Sequence, residues 1–226
     1  KRTKYIKYYG SWVVQNKWEF QIFHPPTSFQ DRFHFLRHLK KNRIDPRSQT
    51  QVLNAIRDPL TRGNISNGYP TNSNKRNDTS LLLYHGPKNQ KSLKYQWSPI
   101  RYPFVFWPYN RSNFSNDYFG HLLTGDINLN TRDKNNKKYI DVICQYFANK
   151  SDDVIIGLLP HHGSSRNWNS KMLSQFPNCY NWVASAKSTN THHPGRKVLL
   201  ELFRNGKYLF LCDENQGIKL NADIYY

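Results

Sequence analysis

From Phe119 onward the chain alternates short apolar runs with segments of helical periodicity, and this alternation constrains its fold more than any other feature. Strands are expected over 119–123, 154–158, 181–185, 207–212 and 217–220, and helices over 137–148, 168–175 and 196–205. Such an order predicts a layered α/β architecture (α+β in some schemes), with helices covering a sheet. At 226 residues the chain is long enough to bury a core of ordinary size.

The N-terminal part reads differently. Residues 5–14 and 17–23 are rich in Tyr, Ile, Val, Trp and Phe around a Gln15-Asn16 turn, the pattern of a β-hairpin stopped by Pro25-Pro26. Ser28 is a candidate cap for a helix over 29–41, and a second helix is expected over 47–60, ended by Pro59 and the Gly63 region. Residues 63–78 are dense in Asn, Gly, Ser, Thr and Pro and read as an exposed loop. The continuous apolar run over 79–84 reads as a strand covered on both faces. Residues 87–118 interleave Lys88, Lys91, Lys94, Arg101 and Arg111 with Tyr95, Trp97, Tyr102, Phe104, Phe106, Trp107 and Tyr109. That insertion suits either a nucleic-acid contact or a β segment packing its own rings.

A formal net charge of +18, from 33 Lys+Arg against 15 Asp+Glu, points to polyanionic partners, nucleic acid first and DNA foremost. Solvated surface charge in a basic, Asn- and Lys-rich proteome would give the same count. Cys144, Cys179 and Cys212 are odd in number and widely spaced, which excludes zinc-ribbon and thioredoxin patterns. Buried free thiols in a reducing, cytoplasmic setting are expected. No apolar run approaches the ~18 residues of a spanning helix, so no membrane segment is expected in this chain. Lys1 opens the chain and the only Met is Met172, from which an upstream segment is expected.

Three strand ends carry chemistry-bearing residues. Leu122-Leu123-Thr124-Gly125-Asp126 places a carboxylate just past a strand, where its two oxygens can bridge two cations; Gly-Asp alone is also a commonplace turn. Leu158-Leu159-Pro160-His161-His162-Gly163-Ser164-Ser165 follows another strand with a histidine pair. Neighbouring residues on extended backbone point opposite ways, so one imidazole is expected to ligate a metal and the other to face substrate. Imidazole suits zinc, iron or manganese. The third end runs from Ser185 to His192-His193-Pro194 and should open on the same crevice. His34 and His38 sit i,i+4 on the expected helix, but Phe35 stands where a helical metalloprotease needs its Glu, so they read as surface or packing residues. Ser164 and Ser165 lack a nucleophile elbow.

Asn77-Asp78-Thr79-Ser80-Leu81-Leu82-Leu83, Leu122-Leu123-Thr124-Gly125-Asp126, Leu159-Pro160-His161-His162-Gly163-Ser164-Ser165, and Ala184-Ser185-Ala186 followed by His193-Pro194 resemble, in that order, the metallo-β-lactamase fold. The likeness is to the subgroup that includes the hydrolase domain of DNA-uptake competence channels and phosphorylcholine esterases. Residues 18–26 also look like the strand preceding the Asn-x-Ser segment there. The resemblance covers nearly the whole chain and rests on the Thr-Gly-Asp and His-His-Gly-Ser motifs jointly.

The resemblance implies one αββα sandwich domain over 1–226, incomplete at its N-terminal side, with 87–118 inserted. It implies a hydrolase with two zinc ions (manganese or iron as variants) activating a bridging water. By motif matching, Asp126 and His162 would be metal ligands, His161 would contact substrate or leaving group, and His193 would bind an anionic group such as phosphate. The family's His-x-His-x-Asp-His cluster is missing from this sequence. Either a missing N-terminal half or partner polypeptide supplies it, giving a metal-dependent phosphodiesterase or nuclease, or the chain is an inactive module that binds nucleic acid or a partner protein in a larger assembly. Hydrolysis of a phosphorylated small molecule or lipid head group is a third expectation.

Overall fold

A computed structural model of the chain describes residues 9–14, 18–25, 29–66, 80–88, 93–100, 105–106, 119–133, 135–187, 192–215 and 217–224. Two compact units emerge: Lys1–Pro25 with Ser80–Tyr226, and Pro26–Thr79.

The smaller unit is helical. Helix α1 (Phe29–Lys41) falls where periodicity places it; its expected cap Ser28 lies outside the described residues. The single second helix expected over 47–60 is two helices, α2 (Gln49–Arg57) and α3 (Pro59–Ser66). Ser48 caps α2 through its side chain, which accepts from Gln51 N. Pro59 opens α3 instead of ending α2, because its missing N–H and fixed φ suit a first helical position. Asp58 takes Thr61 N on its carboxylate at 2.9 Å, capping α3 from the preceding residue. Gly63, expected in a loop, lies within α3, and residues 67–78 of that loop lie outside the described residues. Leu39, Ile44 and Ala55 form this unit's own small core with Phe35 and Val52.

The larger unit is α/β. Among the described residues its eight-stranded mixed sheet runs β1 (Tyr9–Val14), β2 (Trp18–Phe23), β3 (Leu82–Pro87), β6 (Gly120–Leu123), β7 (Val154–Leu158), β8 (Asn181–Ser185), β9 (Tyr208–Cys212) and β5 (Val105–Phe106), and a separate pair joins β10 (Gly217–Ile224) to β4 (Leu93–Ile100). Strands β1 (Tyr9–Val14) and β2 (Trp18–Phe23) form the expected antiparallel hairpin. Strand β3 (Leu82–Pro87) begins later than the apolar run suggests, since its register is set by β2, from Phe23 against Leu82 to Trp18 against Pro87. It is also not sealed on both faces: Leu82 and Tyr84 are buried while Leu83 and His85 are partly exposed, the alternation of an antiparallel neighbour. Within the basic, aromatic insertion, β4 (Leu93–Ile100) and β5 (Val105–Phe106) are strands; apart from Pro87, buried, and Lys88, exposed, its side chains lie outside the described residues.

Beyond β6 (Gly120–Leu123) the expected alternation holds, with β7 (Val154–Leu158), β8 (Asn181–Ser185) and β9 (Tyr208–Cys212) pairing in parallel. Helices α4 (Tyr139–Tyr146), α5 (Lys171–Gln175) and α6 (Arg196–Arg204) alternate with them. Strand β10 (Gly217–Ile224) pairs with β4 and not with the large sheet. Ile140, Ile143, Met172, Leu173, Val198 and Leu202 of the three helices pack on Phe23, Leu82, Tyr84, Leu122, Trp182 and Leu209 of the sheet. His85 and His121, in register on β3 and β6, lie on the opposite sheet face with rings 4.7 Å apart.

Cys144 and Cys179 are buried free thiols, and Cys212 is partly buried. Burial pushes the Cys144 thiol up to about 11 and raises Cys179 as well. No helix among the described residues is long and apolar enough to cross a membrane.

Candidate functional site

Parallel strands put their C-terminal ends at one edge; β6 and β7 each end in a short turn there, and a third turn, over 192–195, follows β8 in the chain. The β6 end is fixed by Thr124, buried completely, whose Oγ1 donates to Leu158 O of β7 at 2.7 Å. Gly125 then adopts φ +53, a left-handed conformation in which a side chain is disfavoured, and so turns the chain at once into Asp126. Its carbonyl accepts from His161 N at 2.9 Å, so the Asp126 turn and the histidine turn are joined through the backbone.

The histidine pair sits in a 3-10 turn, Pro160–Gly163, in which His161 (φ 47) and His162 (φ 58) are both left-handed. The expectation that neighbouring imidazoles must diverge assumed extended backbone. In a left-handed turn they need not, and here their ring centroids are 5.6 Å apart. His193 completes the group, 5.8 Å from the His161 ring and 6.4 Å from that of His162. Asp126 Oδ1 is 4.0 Å from His161 Nδ1; the carboxylate is about half exposed and the imidazole less so. All four residues singled out in the sequence therefore converge at one strand-end edge. His34 and His38 belong to the helical unit; His38 is half-buried and the His34 side chain lies outside the described residues.

Close packing holds the third turn against the second. Gly195 N donates to Gly163 O at 2.9 Å, and a Cβ on Gly195 would lie 2.1 Å from Ser165 Oγ. Ser165 thus serves as packing against a bare α-carbon, and Ser164 gives its N–H to His161 O at 3.0 Å. Burial holds the His193 imidazole below the ordinary histidine range, with the charges of His161, His162 and His192 acting the same way.

No family model, curated protein or solved structure matches the chain.

The donor types at this edge fit a borderline cation such as zinc. His162 Nδ1 faces the carbonyl of Ser185, and since a carbonyl only accepts, Nδ1 carries the proton and the lone pair resides on Nε2. Asp126 and His161 stand 4.0 Å apart, wider than the ~3.3 Å separating two ligands of one tetrahedral zinc with ~2 Å bonds, so this pair is not spaced as two ligands of one ion. In number the donors fall short: among the described residues no group of three or more His, Cys, Asp or Glu is arranged to hold a metal ion.

Two contributors carry no mark in the sequence. The Ser185 carbonyl orients His162 only because β8 ends beside β7, and Asn167, 3% exposed, joins the Asp126 turn to the histidine loop. A buried asparagine looks like any other loop asparagine until its partners are placed.

Proposed function

We propose that this chain carries part of the site of a metal-dependent hydrolase with the metallo-β-lactamase αββα architecture, acting on phosphodiesters, with nucleic acid as substrate. The observation that carries the reading is the convergence of Asp126, His161, His162 and His193 at the ends of three parallel strands, with the Nε2 lone pair of His162 left available by its bond to Ser185. Asp126 and His162 are the residues that would hold metal. When bound, zinc brings the pKa of a coordinated water towards ~7 and stabilises charge on attacking and leaving oxygens. His161, beside the carboxylate, would contact the leaving group, and His193 would donate a hydrogen bond to a phosphoryl oxygen. The remaining ligands of a two-zinc site come from a His-x-His-x-Asp-His segment upstream or on a partner polypeptide. The net charge of +18 favours a polyanionic substrate.

The test is cleavage of single- and double-stranded oligonucleotides with Zn2+ or Mn2+, by the chain alone and by the assembly isolated with it. Metal-dependent cleavage that disappears in Asp126→Ala and His162→Ala is the expected result. Cleavage retained in both variants would sink the proposal. Salt-dependent binding without cleavage, in an assembly free of stoichiometric metal, would assign the chain to an inactive binding module instead. Cleavage of small phosphoesters unaffected by competing oligonucleotides would reassign the substrate.

A further inference from the structure

The Asp126 turn and the His161-His162 turn are anchored to each other twice. One anchor is the backbone bond from His161 N to Gly125 O, already described. The other is a side chain. Asn167 Nδ2 donates to Asp126 O at 3.2 Å and to Ile127 O at 3.3 Å. Its backbone is engaged on both sides as well: its N–H goes to Ser164 O at 3.1 Å, and its carbonyl accepts from Leu129 N at 3.0 Å. One residue thus bonds to Asp126, Ile127 and Leu129 of the loop after β6, and to Ser164 in the loop that follows the histidine pair.

Burial makes those bonds consequential. Asn167 is 3% exposed, and Ile127 and Leu129 are fully buried. Water has little access to replace the amide, so carbonyls that lose it must stay unsatisfied or move. Movement is the cheaper response for Asp126, whose side chain is half exposed. A second layer of asparagines supports the same junction from outside: Asn130 Nδ2 donates to Arg166 O at 3.0 Å and to Trp168 O at 2.8 Å.

We infer that Asn167 is a positioning residue: its buried amide holds the turn bearing Asp126 against the turn bearing His161 and His162, and so sets the carboxylate-to-imidazole geometry at which a divalent cation is bound. The inference rests on reading this cluster as part of a metal site. Asn167 itself does not touch the cation; it acts through the backbone of Asp126.

The experiment is calorimetric titration with Zn2+ of the 226-residue chain, alone and in the assembly isolated with it, for the wild type, Asn167→Ala, Asn167→Ser and Asn181→Ala, each first shown to be folded by circular dichroism at the titration temperature. Asn181 is the control for a merely structural role. It is as buried as Asn167, and its amide also donates to a backbone carbonyl, Ile155 O, but it lies at the start of β8, away from the strand-end edge. Loss of an outer-shell partner typically lowers metal affinity ten- to a hundredfold, and a loss of about that size is expected for Asn167→Ala. Asn167→Ser, whose hydroxyl can donate to one of the two carbonyls, should lose less, and it provides the reading if the alanine variant does not fold. Asn181→Ala should bind like the wild type. Wild-type affinity in the folded Asn167 variants overturns the positioning role. An equal loss in Asn181→Ala does the same, by showing that general loosening suffices. Absence of Zn2+ binding both by the wild-type chain and by the assembly isolated with it overturns the metal-site reading, and this inference with it.

Discussion

His162 gives its Nδ1–H to the backbone carbonyl of Ser185, so an imidazole from the end of β7 is oriented by the end of β8. A ring held this way presents Nε2 in one tautomer, the form that can ligate a cation.

Removing either proposed ligand should therefore separate binding from stability. Asp126→Ala removes a half-exposed side chain that stands 4.0 Å from His161 Nδ1, and should change the unfolding free energy by no more than about 0.5 kcal/mol. Zn2+ affinity should nevertheless fall to background in Asp126→Ala and His162→Ala. Urea unfolding alongside calorimetry checks both halves.

A Cβ at position 195 should disturb the site from outside it. It would meet Ser165 Oγ at 2.1 Å and Ser165 Cβ at 3.0 Å, so Gly195→Ala should destabilise by about 1–3 kcal/mol, as overpacking typically does. Two of the three crowding atoms belong to the Ser165 side chain. The double variant Gly195→Ala/Ser165→Gly should recover part of the loss, measured by thermal unfolding of the two single variants and the pair.

The buried histidine of β6 predicts acid sensitivity. Burial, reinforced by the neighbouring charge of His85, brings His121 down to about 3 from an ordinary 6.5. Between those two pH values the unfolded chain binds a proton that the native state refuses. Stability is therefore fully present above pH 6.5 and falls as pH drops below it, by about 1.4 kcal/mol per pH unit for this one group. His85, also lowered by burial, adds to the same slope. In His121→Phe the pH dependence of the urea midpoint between pH 6.5 and 4 should be flatter than in the wild type; parallel curves would refute the assignment.

Lys150 should behave as a structural hub. Its ammonium lies 2.8 Å from Glu19 and 3.5 Å from Asp153, with only 12% of its side chain exposed, and 5.3 Å above the Tyr84 ring. Lys150→Met leaves two shielded carboxylates without their cation. A loss of about 2 kcal/mol, between the values of exposed and fully buried pairs, is expected in denaturant melts.

The elements legible in the sequence were those specified by local pattern. Alternation from β6 to β9, the N-terminal hairpin and α1 needed only the period of apolar residues and nearby turn residues. The misread elements were those whose bounds depend on partners or on a single backbone choice: β3, whose start is set by β2, and the α2–α3 break, where Pro59 opens a helix. β10 was recognisable as a strand, but its pairing with β4 was not, because that partner lies more than a hundred residues away.

At the candidate site the sequence by itself singled out the candidate residues: Asp126 after Thr-Gly, the His161-His162 pair, and His193 before Pro194. These stand at strand ends, and strand ends can be read from hydrophobic runs. Only the tertiary structure decided that they meet, that both histidines of the pair turn left-handed and face a common neighbour, and that Ser185 and Asn167 hold them. The reason is physical. Parallel pairing of β6, β7 and β8 brings residues nearly seventy positions apart to one edge, whereas a backbone carbonyl or a buried amide becomes specific only when its partner is placed.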